Sequence, residues 1–129
     1  MGLNEYFGRA TGTGVLATAD AEGRVNAALF ARPHFPDKDD EGVCAFIMSE
    51  RASHENVKEN PSAVYLFIEP GEEYEGKRLS LTMIREETDP EKIRAVRRRS
   101  TPQISQDAGE RKYLVYFRID NVRPLVGAE

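Results

Sequence analysis

The chain has 129 residues, enough for a single domain spanning 1–129. With 40% apolar and 31% charged residues, it is too apolar for a disordered chain and ordinary for a globular one. A net charge of −4 argues against general nucleic-acid binding, and the absence of a long apolar run argues against a bilayer-spanning helix. One cysteine, Cys44, excludes an intrachain disulfide and a multi-cysteine metal site. Two histidines, His34 and His54, lack metal-ligand spacing. The N-terminus has no signal-peptide core, so the expected location is cytoplasmic.

Residues 3–10 can form a short helix, and 14–19 and 25–31 read as two strands. The turn Asp20-Ala21-Glu22-Gly23 between them makes a hairpin. Gly12-Thr13-Gly14 lacks the third glycine and the following helix of a nucleotide loop, so it reads as a strand entry. A charged loop over 33–42 precedes a third strand at 44–48, in whose apolar run Cys44 reads as a small buried hydrophobe. A helix over 53–60 follows, stopped by Pro61. The fourth strand is 63–69, rich in Val, Tyr, Phe and Ile. In the fifth, 77–86, Leu79, Leu81 and Met83 share one side. Asp89-Pro90-Glu91 opens a helix to about residue 98, whose arginines Arg97 to Arg99 suit a solvated last turn. A polar loop over 100–109 leads to the last strand, 113–119, with 122–125 trailing from it. Hairpins dominate and long crossover helices are few. That order predicts an antiparallel barrel with small helices at its edges.

The turn Ser49-Glu50-Arg51-Ala52-Ser53-His54 stands where the helix begins. Free N–H groups, a hydroxyl and a cation at a helix start suit a phosphate. Sequence alone leaves two readings open there: a phosphate site, or Ser53 as a simple helix cap with solvated neighbours. Asn26 can offer an amide, and Ala27 and Ala28 leave room over the strand for a flat ring. The acidic pair Glu86-Glu87 reads as solvated loop rather than a cation site.

Three segments, GVLATADAEGRVNAALF, FIMSERASHENVKENPSAVYLF and YFRIDNVRPL, together resemble the pyridoxamine 5′-phosphate oxidase-like, FMN-binding split barrels. The resemblance runs from about Gly14 to Leu125. It implies a mainly β fold, a six-stranded antiparallel split barrel with short flanking helices. It also implies a homodimer holding two FMN molecules at the subunit interface, and an FMN-dependent oxidoreductase of unknown substrate. By position, Asn26, Ala27, Ala28 and Leu29 would run beside the isoalloxazine ring, largely through backbone groups. Ile47 and Met48 would line the ring and ribityl chain. Ser49, Arg51, Ala52 and Ser53 would form the phosphate turn, with His54 adjacent. Oxidases of pyridoxamine phosphate carry an Arg-Lys pair where Ala52 and Ser53 stand, and Arg32 is the nearest match to their strand-two lysine. Vitamin B6 oxidation is therefore not expected, and no catalytic residue is assigned. The alternatives are a flavin store or sensor, a related barrel binding deazaflavin or haem with His34 or His54 as axial ligand, and a cofactor-free binding module.

Overall fold

A computed structural model describes residues 2–98 and 111–127, with only the backbone at Arg98. The elements are α1 (Leu3–Arg9), β1 (Thr13–Ala19), β2 (Val25–Leu29), β3 (Val43–Ser49), α2 (Ala52–Glu59), β4 (Ser62–Ile68), β5 (Gly76–Glu87), α3 (Pro90–Arg98) and β6 (Lys112–Pro124). The strands form one antiparallel sheet in the order β2-β1-β4-β5-β6-β3, curled into a half-barrel. The mainly β split barrel is thus present. The expected polar loop over 100–109 and the side chains of Arg98 and Arg99 lie outside the described residues.

Strand alternation divides the sheet into two faces. The inner face carries Leu16, Phe46, Met48, Tyr65, Phe67, Leu79, Leu81, Tyr113, Val115 and Phe117, which close into one core with Phe7 of α1. Leu79 and Leu81 share that face as the period-two pattern requires, and Met83 packs partly against it. Cys44 is fully buried there, and burial pushes its thiol up to about 12. On the outer face of β3 and β6, Ala45, Leu114 and Tyr116 are covered by Ile93 and Val96 of α3.

Two glycines at the start of β1 are demanded by packing. A Cβ on Gly14 would stand 1.9 Å from the Tyr65 hydroxyl, and one on Gly12 would stand 2.2 Å from the Ile68 carbonyl oxygen. The Gly12-Thr13-Gly14 segment is a strand entry, as its sequence suggests.

The structure differs from the sequence expectations at several ends. β5 runs one residue beyond the expected strand at each end, from Gly76 to Glu87, and β6 continues through Val122 to Pro124. The N-cap of α2 is Arg51, which makes no side-chain capping bond, so Ser53 is the second helical residue and not the cap.

Candidate functional site

Among the described residues, the sheet order leaves two strands without a second neighbouring strand, β2 and β3. These are the strands that carry the candidate residues. Phe30 N–H donates to the Gly14 carbonyl at 3.0 Å. Antiparallel alternation then turns the main chain of Ala28 and Asn26 toward β1, and that of Ala27 and Leu29 toward the open edge. On the other side, Ala45 exchanges two bonds of 2.8 Å with His34. The same alternation turns the main chain of Ile47 and Ser49 to that edge. The two edges approach at one end through Phe30 and Phe46, whose ring centroids are 5.9 Å apart. At the other end α2 packs on β1, β2 and β3. The result is a seam lined by backbone groups, with a helix start at one end.

The candidate side chains divide between the two faces. Ala27 and Leu29 face outward and are exposed. Ile47 and Ser49 lie on the same outer face as Ala45. Arg51 and Ala52 are exposed at the start of α2. Asn26, Met48, Ser53 and His54 instead turn inward. Met48 belongs to the core. Asn26 Nδ2 donates to Ser53 Oγ at 3.4 Å, and Asn56 Nδ2 to Thr18 Oγ1 at 3.0 Å, so this side of α2 is fastened to the first hairpin.

His54 is 1% exposed. Its ring stacks on Tyr113 at 3.8 Å, and Nε2 lies 2.7 Å from Glu86 Oε1. It anchors α2 to β5 and β6 rather than facing a ligand at the seam. His34 is half-buried, and burial, then Arg97 and Arg32, pull its pKa down to about 4. The Arg32 guanidinium donates to the carbonyls of Phe7 and Ala10, closing the end of α1. A cleft of about 280 Å³ beside it, floored by Gly14, Phe30 and Phe67, lies at the hairpin end away from α2.

One residue escaped the sequence reading. Lys112, the first residue of β6, is the cross-strand partner of Ser49, and its Nζ donates to Ser49 Oγ at 2.9 Å. The two are 63 positions apart, and only the β3–β6 register joins them. The donor set at the outer end of the seam is thus Ser49, Arg51, Lys112 and the uncapped first turn of α2. Its chemistry suits a phosphate, and the open strand edges suit the amide and carbonyl groups of a flat heterocycle.

No protein-family model and no curated protein sequence matches the chain. Solved structures do. It is similar to an FMN-binding protein from Syntrophomonas wolfei, at 14% identity and a TM-score of 0.77, covering 98% of this chain and 85% of that one. A protein described as an F420 reductase gives 19% identity and a TM-score of 0.66, covering 95% and 98%. A protein from Listeria innocua assigned as a pyridoxamine 5′-phosphate oxidase gives 14% and 0.60, covering 89% of each chain. Identities this low speak to fold. The chain has the split-barrel fold found among pyridoxamine 5′-phosphate oxidase-like proteins.

Proposed function

We propose that the chain binds FMN along the seam between β2 and β3 and works as an FMN-dependent oxidoreductase. The observation that carries this reading is the pair of open strand edges ending at the uncapped, cationic start of α2. The backbone of Ala27, Leu29 and Ile47 would meet the ring system, and Ser49, Arg51 and Ala52 the phosphate. Bound flavin would supply the redox chemistry, and the protein would supply anchoring, ring contacts and exclusion of water. Met48 and Ser53 support the site from beneath rather than through their side chains.

A homodimer belongs to the same proposal. The outer face of β2, β1 and β4 is an unbroken apolar ladder: Leu29 beside Val15 beside Leu66, and Ala27 beside Ala17 beside Val64. Val25 and Leu29 are each 75% exposed. A second copy on this face would cover it and close the seam from outside.

A deazaflavin is the second reading, favoured by the fold's likeness to an F420 reductase. The test is an absorbance scan of purified protein, before and after incubation with FMN and desalting. Retained flavin bands are the expected result. Retention of deazaflavin and not FMN would select the second reading, and a colourless protein that retains neither would overturn both.

A further inference from the structure

We infer that α1 is a strap that clamps the free end of β2, and that it opens as a unit while the sheet stays paired. A helix of seven residues is not stable by itself, so α1 exists through what grips it. Phe7 is the residue it buries, with Leu3, Tyr6 and Ala10 packed partly against the core. The remaining grip comes from side chains at three distant points. The Glu41 carboxylate accepts the Leu3 and Asn4 N–H groups at 3.2 and 3.0 Å, which satisfies two open donors of the first turn. The next residue, Gly42, is tied to β6, because its carbonyl accepts the Ile119 N–H at 2.8 Å. In mid-helix the Tyr6 hydroxyl donates to Glu69, just past β4, and Lys77 Nζ lies 4.5 Å above the Tyr6 ring. At the last turn Arg32 Nη1 donates to the Phe7 and Ala10 carbonyls at 2.9 and 2.6 Å.

Arg32 stands three residues past the end of β2, so the last grip is also a hold on that strand. A second route runs through Tyr65. Its hydroxyl donates, shared, to the Phe30 and Ala31 carbonyls at 3.2 Å each, and the Phe7 ring packs edge-on against its ring at 6.3 Å. Between α1 and β2 lies the cleft, with Ala10 and Thr11 on one side and Phe30 and Ala31 on the other. The helix therefore reaches the strand through Arg32 and Tyr65, across a gap. The sheet is held by backbone ladders over a deep core, whereas α1 is held by one buried ring and a few partly exposed, mostly charged contacts. An element held in that way opens before the sheet does. When it opens, the end of β2 loses both of its ties to α1, and the seam loosens at the end away from α2.

The experiment follows amide hydrogen exchange by NMR under native conditions in wild type, Glu41→Ala and Tyr6→Phe. Each substitution removes one grip on α1 at a point away from β2. The reporters are the Ala10 N–H, bonded to the Tyr6 carbonyl in α1, the Phe30 N–H, bonded to the Gly14 carbonyl at the end of β2, and the amides of β4. In wild type the Ala10 amide is expected to exchange at least about tenfold faster than those of β4. Each substitution should speed Ala10 and Phe30 together by about tenfold and leave β4 unchanged. Acceleration of Ala10 alone in both variants overturns the clamp on β2. Equal acceleration of all three reporters in both variants, or a wild-type Ala10 as slow as β4, shows that α1 opens only with the whole sheet and overturns the strap. No change in either variant overturns the roles of Glu41 and Tyr6 and the strap with them.

Discussion

Two outer faces of the same sheet carry the same alternation and meet different ends. On β3 and β6 the outward residues Ala45, Leu114 and Tyr116 are sealed beneath Ile93 and Val96 of α3. On β2, β1 and β4 the outward residues Val25, Leu29 and Val64 are exposed, with no helix over them among the described residues. A period of two tells which residues share a face, but not whether that face is wet. Among the described residues, the third helix covers one apolar face and the other is left exposed. The bare face is the one that borders the seam.

The largest test of this contrast is a matched pair of truncations. Leu114→Ala, under α3, is expected to cost about 2–5 kcal/mol of stability, because it opens a cavity in a packed layer. Leu29→Ala on the bare face is expected to cost under about 0.5 kcal/mol at low protein concentration. Denaturant unfolding of both variants checks the pair, and equal costs would break the comparison.

A pH series sharpens the covered side. Burial first, then Arg97 of α3 and Arg32, lower the His34 pKa to about 4, from an ordinary value near 6.5. The unfolded chain then binds more protons than the folded one between those values. Stability is fully present above pH 6.5 and is lost as the pH falls toward 4, by at most about 3 kcal/mol. His34→Gln should flatten that part of the stability curve. A wild type whose stability is constant between pH 4 and 6.5 would contradict the arrangement around His34.

A small effect on the folded monomer, and the most telling for the bare face, comes from Leu29→Asp combined with Val64→Asp. Both side chains are solvent-exposed, so the monomer should unfold within about 1 kcal/mol of wild type. Light scattering should show the mass dropping from dimer to monomer. A wild type that is already monomeric at micromolar concentration would show that this face is not a self-association surface.

Much of the fold was legible along the chain. Turn chemistry at Asp20 to Gly23, the Asn60-Pro61 stop and the Asp89-Pro90 start mark boundaries that the structure meets within a residue or two. Those signals are local, so sequence carries them directly. The edges of the sheet were not legible, because strand order is a property of pairing between distant segments. Lys112 was missed for the same reason, since nothing near Ser49 in sequence announces it. Glu86 stands in the expected fifth strand, but its partner His54 comes from 32 positions away and was not legible along the chain. Ser53 stood in good capping company, yet its hydroxyl turns inward to Asn26, and the helix start is left to Arg51.

The open edge of β2 has a consequence for the life of the protein outside its assembled state. Val25-Asn26-Ala27-Ala28-Leu29 is a short, uncharged, proline-free stretch that presents unpaired amides and apolar side chains together. Such an edge is a template for adding a stray strand from another molecule. On the proposed reading, an occupant of the seam would therefore also guard against misassembly. Stripped protein should form thioflavin-positive aggregates sooner than loaded protein at equal concentration, and a lysine at Ala27 should delay them.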